Sequence, residues 1–296
     1  MITVPHGFGD VLVGFEGEAA QRWRADLPAL ATRYCARWNL TPDGEVLHGF
    51  VAVVLPVRRA DGSPAVLKLT WVDAETRHEP LALAVWNGRG VVRLLDHDDE
   101  HGALLLERLD HTRSLLDAPA EEAVEVTGGL LRRLRVQAPR EVRTLAERAA
   151  ETADALAERN ATLGNVVPAA LLETALSHGR ELAATAGTTL VNEDLHYENV
   201  LRGEREPWLM IDPKPLSGDP EFCVIPLLRN RFGELDGPRG LRERVAALVD
   251  IGELDAQRAH GWTVFRAVDD WLWSIGQGLA GQAAVCAHIA RGLTGT

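Results

Sequence analysis

The pattern of hydrophobic and polar positions predicts that the chain begins with a part containing both helix and strand. Residues 16–38 place apolar side chains at mixed spacings of three and four, the period of an amphipathic helix, and Pro28 predicts a break or a new first turn inside it. Two β-branched runs follow at residues 45–59 and 63–72, with a glycine-containing turn signal between them. These runs predict a β-hairpin that carries Lys68 near the middle of its second strand.

Further along the chain, the pattern changes from strands to long helices. Residues 75–90 predict a helix whose first turn begins at Pro80 and which ends at Asn87-Gly88, and residues 91–109 predict two strands around an acidic turn. From Asp117 onward the sequence is strongly helical. We therefore expect an α+β fold with a strand-rich lobe at residues 1–107, a hinge at 108–112 and a mainly helical lobe at 113–296.

One segment of the helical half predicts strands instead. Residues 199–202 and 207–212 flank a polar turn, and an antiparallel hairpin there would bring Asn199 and Asp212 together at its open end. Two oxygen ligands at one place suit Mg²⁺, which keeps several waters that substrate phosphates can replace. Asp194 precedes Asn199 by five residues, and protein kinases use this D-x-x-x-x-N spacing for the aspartate that accepts the substrate hydroxyl proton.

These three polar residues also have a structural interpretation. Taken one at a time, an Asp or Asn at a strand end is more often a turn former or cap than a catalytic group. Their joint spacing on one hairpin, in an otherwise helical half, favours a base and two metal ligands.

Composition restricts the classes of partner. The 296 residues are 46% hydrophobic and 25% charged, as is typical of a globular protein long enough for two lobes. The formal net charge of −12 disfavours nucleic acid and anionic membranes and favours a cationic ligand. Three widely spaced cysteines without a C-x-x-C pair predict neither a disulfide framework nor a zinc site. The N-terminus does not resemble a signal peptide, and no apolar stretch reaches 18 residues, so we expect a cytoplasmic protein, monomeric or weakly dimeric.

Three stretches of the sequence resemble one family. "DLHYENVL", "EREPWLMIDPKPLSGDPEF" and "GVVRLLDHDDEHGALLLERL" are similar to the aminoglycoside/hydroxyurea phosphotransferases, and within them most closely to the streptomycin 6-kinases of actinomycetes. The resemblance extends from about residue 4 to the C-terminal helices. It implies a protein-kinase-like two-lobe fold and ATP-dependent O-phosphorylation of an aminoglycoside, most strongly the 6-phosphorylation of streptomycin that confers antibiotic resistance.

The same resemblance implies roles for the residues of the second half. Asp194 would be the catalytic base, and Asn199 and Asp212 would hold Mg²⁺ between the β- and γ-phosphates of ATP.

The first half would bind the nucleotide. Lys68 matches the strand lysine that contacts the α- and β-phosphates, and because apolar residues surround it, it needs an acidic partner, with Glu79 as the first candidate and Glu75 as the second. Backbone groups from Glu107 to Leu109 would hydrogen-bond adenine, although Glu107 has an equally weighted structural interpretation. Gly49-Phe50 is the nearest match to a phosphate-covering loop, since no G-x-G-x-x-G is present.

Two positions depart from the family pattern. Asn192-Glu193 stands where the family usually has His-Gly before the catalytic aspartate, and Cys223 stands where it usually has an aspartate that accepts hydrogen bonds from the catalytic loop. A less firmly positioned loop would lose rate, since a misplacement of about 1 Å can cost on the order of 100-fold. Two alternatives therefore stay open. One is a kinase-like module with weak or lost turnover, and the other is the same chemistry on hydroxyurea or another small alcohol.

A cationic acceptor predicts acidic and aromatic side chains around it. Residues 261–278 form a predicted helix in which Asp270 and Trp273 could hold such a ligand, although Trp and Leu at this spacing are more often core residues. Adjacent helix positions point about 100° apart, so Asp269 and Asp270 cannot both face one site. Asp219 and Glu234 are weaker candidates of the same kind.

Overall fold

The computed structural model describes residues 3–5 and 7–295, and the chain forms two compact units that divide between Asp110 and His111. That division lies inside the segment 108–112. The first unit is built on an antiparallel sheet, and the second is mainly helical. The predicted α+β class is confirmed.

The first unit contains a six-stranded antiparallel sheet with the order β1-β3-β4-β6-β5, in which β2 also pairs with β3. Its elements are α1 (Asp10–Glu16), α2 (Glu18–Arg37), β1 (Thr41–Pro42), β2 (Leu47–His48), β3 (Ala52–Arg58), β4 (Pro64–Thr70), α3 (Glu79–Trp86), β5 (Leu94–Asp98) and β6 (Ala103–Glu107).

The predicted hairpin forms at the centre of this sheet. Strands β3 and β4 pair with Arg58 opposite Pro64 and with Val54 opposite Lys68. Because successive side chains on a strand point to opposite faces, Leu67 and Leu69 share one face and Lys68 lies on the other. The first face packs with α2 into a core whose members include Leu27, Ala31, Tyr34, Val53, Leu55, Val57, Leu67, Leu69 and Leu105.

Helix α2 continues through Pro28, so the predicted break there is wrong. A proline inside a helix costs about 3 kcal/mol because it removes one hydrogen bond and crowds the preceding turn. Leu27, Ala31 and Tyr34 are completely or almost completely buried against the sheet. Burying a large apolar side chain contributes about 2 kcal/mol, so this face offsets the cost of Pro28.

Helix α3 has the signals that the sequence predicts. It begins at Glu79, has Pro80 in its first turn and ends at Asn87, whose left-handed φ of 47° closes the last turn. The turn before it is fixed by Asp73, whose carboxylate accepts hydrogen bonds from the backbone N–H groups of Glu75 and Thr76 at 2.8 and 2.9 Å. The start of α3, and with it Glu79, is thus held in place.

The second unit contains two small antiparallel sheets among seven helices of the described residues, with strand orders β10-β9-β7 and β11-β8. Its elements are β7 (Asp110–Ser114), α4 (Ala120–Arg133), α5 (Leu145–Thr162), α6 (Ala169–Ala183), β8 (Thr189–Asn192), β9 (Val200–Arg202), β10 (Trp208–Met210), β11 (Pro215–Gly218), α7 (Val224–Asn230), α8 (Gly237–Gly252), α9 (Ala256–Gly276) and α10 (Ala280–Thr294).

Helix α9 is the central element of the second unit and is buried along most of its length. It packs against α6 and α10. Close approach to α6 requires Gly179, because a Cβ atom at that position would lie 2.4 Å from the Phe265 ring. Within the part of the chain that the structure describes, no helix combines the length and apolar character needed to cross a bilayer.

Candidate active site

The predicted hairpin of the second unit is present and holds two of the candidate residues at its open end. Val200 of β9 pairs with Met210 of β10, and the Ile211 N–H donates to the Asn199 carbonyl at 2.8 Å. Asp212 follows directly and has a left-handed φ of 51°, an uncommon conformation for a residue other than glycine. Such conformations cluster at functional sites, where the surrounding structure must maintain them.

The loop that carries Asp194 joins β8 to this hairpin, and side chains hold it at two points. The Asn199 side-chain amide donates to the Asp194 carbonyl at 3.3 Å. The Tyr197 N–H donates to the side-chain oxygen of Asn230, on α7, at 3.1 Å. The spacing of five residues between Asp194 and Asn199 therefore closes a compact turn.

Asn192, two residues before Asp194, supports this loop with its amide. Its side-chain oxygen accepts hydrogen bonds from the backbone N–H groups of Asp194 at 3.0 Å and Lys214 at 2.9 Å. Its amide nitrogen donates to the sulfur of Met210 at 3.2 Å. One buried side chain thus ties the segment before the candidate base to the segment after Asp212.

Cys223 lies fully buried beside the same loop. Burial raises the pKa of its thiol to about 12, although the charge of Arg266 and a backbone hydrogen bond from Asn192 act in the opposite direction. Arg266, on α9, donates to the carbonyls of Glu193 at 2.9 Å and Phe222 at 3.0 Å. A buried arginine therefore holds the backbone next to Asp194.

A second arginine extends this support to the side chain of Glu193. Arg148 Nε lies 3.7 Å from the Glu193 carboxylate, and the same guanidinium is 3.2 Å from Asp269. Asp269 also pairs with Arg159 at 2.6 Å. Asp269 is buried within this network, so it stabilises the helices and does not face a ligand site.

Two cations lie close to Asp194. Lys214 Nζ is 3.5 Å from Asp194 Oδ2, and the two side chains are 30% and 25% exposed. Arg229 pairs with Asp270 at 2.9 Å. Burial alone would lower the pKa of Arg229, but the charge of Asp270, with a smaller contribution from Asp194, raises it. Asp194 is thus a partly exposed carboxylate in a positive environment.

The first unit holds a buried ion pair at the centre of its sheet. Lys68 Nζ donates to both carboxylate oxygens of Glu79, each at 2.7 Å. Both side chains are almost fully buried, at 5% and 1% exposure. A pair this buried survives only with good geometry, because each ion has lost its hydration. Glu79, the first candidate partner, is thus an acidic neighbour of the lysine.

The remaining candidates of the first unit have less distinctive surroundings. The Glu107 side chain accepts a hydrogen bond from the Arg93 N–H at 3.0 Å, which secures the end of β6. Leu109 is half-buried just beyond β6. Gly49 donates its N–H to the Ala52 carbonyl at 2.9 Å and so closes the β2–β3 turn.

Asp219, a candidate for contact with the acceptor, is buried among hydrogen-bond donors. It is 4% exposed. Its carboxylate accepts hydrogen bonds from the Gly187 N–H and from Trp262 Nε1, each at 2.7 Å, and it also pairs with Arg258. The low hydration of Asp219 is compensated by these donors, as a buried charge requires.

The other acceptor candidates differ in exposure. Asp270 is mostly buried and paired with Arg229, whereas Trp273 is 43% exposed. Glu234 is exposed and pairs with Arg231 at 2.7 Å. Trp273 is therefore the one of these three whose side chain offers a large surface to a ligand.

Sequence reasoning missed four residues that support the site. Asn230, Arg148 and Arg266 lie on helices far from Asp194 along the chain, and Lys214 follows Asp212 by two residues. The signal for Arg266 is a single cation inside the apolar run "WTVFRAV", since a buried charge requires partners. The signal for Lys214 is its place within "IDPKP".

The fold and the site define a kinase-like phosphotransferase that acts on small molecules. A choline kinase from Streptococcus pneumoniae has the same fold, with a TM-score of 0.61 and 12% identity over 91% of this chain and 99% of that chain. The family model described as aminoglycoside/hydroxyurea antibiotic resistance kinase matches residues 37–278. The chain belongs to this family, as the sequence motifs predict.

Two curated relatives have similar identity over almost the whole chain. A streptomycin 6-kinase from Streptomyces glaucescens is 42% identical over 301 residues, which covers 100% of this chain and 98% of the relative. A hydroxyurea phosphotransferase from Kitasatospora aureofaciens is 42% identical over 284 residues, which covers 94% of this chain and 82% of the relative.

Proposed function

We propose that the protein uses Mg²⁺ and ATP to phosphorylate the 6-hydroxyl group of streptomycin or a closely related aminoglycoside. The observation that carries this proposal is the closed turn from Asp194 to Asn199, joined by the β9–β10 hairpin to Asp212. The full-length similarity to a streptomycin 6-kinase supports the choice of acceptor.

Asp194 acts on the acceptor in this proposal. Its carboxylate orients the hydroxyl group and accepts its proton while the new P–O bond forms and the bond to the leaving ADP breaks. Most of the rate enhancement in phosphoryl transfer comes from positioning and from neutralising phosphate charge. The hydrogen bonds from Asn199 and to Asn192 and Asn230 supply that positioning within the loop.

The oxygen donors at the open end of the hairpin fit a magnesium ion. The side-chain nitrogen of Asn199 is committed to the Asp194 carbonyl, which leaves the amide oxygen as the atom for a metal. Asp212 adds a carboxylate, and Mg²⁺ prefers such oxygen ligands together with water and phosphate. When bound, the ion would supply positive charge that neutralises the charge of the phosphates.

In the first unit, Lys68 would bind the α- and β-phosphates. The contact with Glu79 fixes the direction of its ammonium group. Backbone groups between Glu107 and Leu109 would bind the adenine edge. The Glu107 side chain itself accepts a hydrogen bond from the Arg93 backbone.

A streptomycin-like acceptor carries guanidinium groups. The net charge of −12 would attract it, and the exposed face of Trp273 would stack on a guanidinium plane. The supports that Asn192 and Arg266 give to the catalytic loop favour turnover over a binding module that has lost it.

Hydroxyurea is the second candidate acceptor. A hydroxyurea phosphotransferase is as similar to this chain, at 42% identity, as the streptomycin 6-kinase. The transferred group and the proposed roles of Asp194, Asn199 and Asp212 are the same for both acceptors, so the site chemistry does not separate them.

The experiment is a transfer assay with labelled ATP and Mg²⁺ on a panel of streptomycin, other aminoglycosides and hydroxyurea. We expect phosphorylation of streptomycin by the wild type and a loss of at least about 1000-fold in Asp194→Ala, with ATP affinity changed less than about threefold. Arg239→Gln, on the exposed face of α8, is the control for loss of one surface charge. Near-normal transfer by Asp194→Ala would refute its role, and transfer to hydroxyurea alone would select the second acceptor.

A further inference from the structure

The chain contains two lysines among its 31 lysine and arginine residues, Lys68 and Lys214. Arginine supplies every other permanent side-chain cation, including those in the buried networks around Glu193 and Asp219. A lysine is a compact charge with three rotatable donors on a flexible stem, whereas the guanidinium of arginine presents a fixed planar fork. Lys68 is buried and held by Glu79, whereas Lys214 is the partly exposed lysine of the two.

The backbone of Lys214 is held on both sides. Its N–H donates to the side-chain oxygen of Asn192 at 2.9 Å, and its carbonyl accepts from the Glu193 N–H at 3.0 Å. The side chain is 30% exposed and its ammonium group lies 3.5 Å from Asp194. A partly exposed pair at this distance, longer than a normal hydrogen bond, is weaker than the buried pairs of this chain, so the head group can change partners while the backbone stays in place.

This inference rests on the proposed function. In the proposed reaction, the ion pair between Lys214 and Asp194 is unfavourable. A cation beside Asp194 competes with the acceptor hydroxyl for the carboxylate oxygen that must receive the proton. Asp212 is two residues away, so its Cα lies within about 7 Å of the Cα of Lys214. Phosphate oxygens bound through Asp212 are thus within the range of the lysine side chain.

We propose that Lys214 is a γ-phosphate ligand that exchanges partners during the reaction. Its ammonium group holds Asp194 when no triphosphate is bound and moves to the γ-phosphoryl group when ATP binds. The movement releases the carboxylate for the acceptor hydroxyl at the moment when a phosphoryl group is available. In the transfer step, the hydroxyl oxygen forms the bond to phosphorus, its proton passes to Asp194, and ADP leaves with the electron pair of the broken bond. Lys214 then neutralises charge on the transferred group.

Nucleotide binding tests this exchange without turnover. Calorimetric titration with Mg²⁺ and either ADP or the non-hydrolysable triphosphate analogue AMP-PNP compares ligands with and without the γ-group. We expect Lys214→Met to weaken AMP-PNP binding by about 10- to 100-fold, as for loss of a charge-assisted hydrogen bond, and ADP binding by less than about threefold. Lys214→Arg, which keeps the charge, should retain most of the preference for AMP-PNP, and Arg239→Gln should bind both nucleotides as the wild type does.

Equal losses for both nucleotides, or no loss for either, would overturn the proposal. Thermal denaturation of each variant checks that it is folded, and Lys214→Gln replaces Lys214→Met if the latter does not fold. Steady-state kinetics give an independent measurement. For Lys214→Met we expect kcat to fall about 100-fold and the acceptor KM to stay unchanged.

Failure of the Lys214 exchange and failure of the proposed function give different results. A wild type that transfers phosphate to none of the acceptors, but prefers AMP-PNP in a manner dependent on Lys214, refutes the acceptor and supports the exchange. A wild type that phosphorylates streptomycin, with Lys214→Met equally fast and equally selective, supports the function and refutes the exchange.

Discussion

The guanidinium of Arg266 donates a hydrogen bond to the carbonyl of Glu193 at 2.9 Å, one residue before Asp194. The same group lies over the ring of Phe222, with 4.4 Å between the guanidinium carbon and the ring centroid. Helix α9 thereby reaches the backbone of the loop that carries the proposed base.

Replacing Arg266 should impair catalysis through this backbone contact. In Arg266→Met the carbonyls of Glu193 and Phe222 lose their buried donor, so we expect a loss of about 2–3 kcal/mol in stability and a kcat about 100-fold lower. ATP and acceptor KM values should change much less. Steady-state kinetics and urea denaturation measure both effects, and an unchanged kcat in a folded variant would contradict the role of Arg266.

The contributions of the Asn192 side-chain oxygen and side-chain nitrogen can be tested separately. Asn192→Ala removes the acceptor shared by the Asp194 and Lys214 N–H groups, and we expect kcat to fall about 100-fold. Met210→Leu is the matched control, because it removes only the sulfur that accepts from the amide nitrogen and nearly conserves volume. Equal effects of the two substitutions on kcat would show that the amide oxygen has no special role.

The Lys68–Glu79 pair should show strong energetic coupling. Each single substitution, Lys68→Met or Glu79→Leu, leaves an uncompensated buried charge and should cost about 3–5 kcal/mol in unfolding free energy. The double variant should regain most of this stability, since both charges are gone, yet remain inactive. Denaturant unfolding of the three variants and the wild type completes the cycle, and additive losses in the double variant would contradict the coupling.

Asp219 and Trp273 should behave in opposite ways. Asp219→Asn is expected to lower stability by about 2–4 kcal/mol, because partly buried Arg258 loses its counter-ion, with little change in acceptor KM. Trp273→Ala should leave stability nearly unchanged and raise the acceptor KM about tenfold, because its exposed ring is the proposed stacking surface. Kinetics with streptomycin and thermal unfolding distinguish them, and an acceptor KM unaffected by Trp273→Ala would remove it from the proposed site.

The buried thiols predict how stability changes in alkaline solution. Burial raises the pKa of Cys223 and of Cys286 from 9.0 to about 12. The folded state therefore retains protons that the unfolded state releases, and stability falls as pH rises from about 9 towards about 12. Between pH 8 and 10.5 the loss is about 2 kcal/mol for each thiol.

The control for this prediction is the double variant Cys223→Ala, Cys286→Ala. Denaturant unfolding at both pH values should show a smaller alkaline loss in this variant than in the wild type. Identical losses would mean that neither thiol titrates differently in the folded and unfolded states.

Local patterns predicted much of the fold, and they failed where distant packing decides the structure. The β3–β4 hairpin and the ends of α3 follow from alternation, Pro80 and Asn87, all of which act within a few residues. Pro28 was misjudged because its cost is offset by contacts that α2 makes with strands much later in the chain. Strands β8 and β11 were missed because four residues are too few to show a period.

The same distinction applies to the site. The spacing of Asp194, Asn199 and Asp212 is local and could be predicted, whereas Arg266 lies 72 residues beyond Asp194 and carries no local sign of its target. Asp219 likewise has partners, Arg258 and Trp262, that lie about 40 residues away in a different helix. Helical periodicity alone does not reveal which buried acid such a helix meets.

In this chain the Asn192 oxygen accepts hydrogen bonds from two backbone segments that lie 20 residues apart along the sequence. They join the segments on either side of the hairpin, so we expect the proposed base and the residues after Asp212 to move together and to keep their separation. Mutations that reshape the surrounding helices for another alcohol can then accumulate without retuning the reaction centre. Relatives with one chemistry and several antibiotics are the expected evolutionary result.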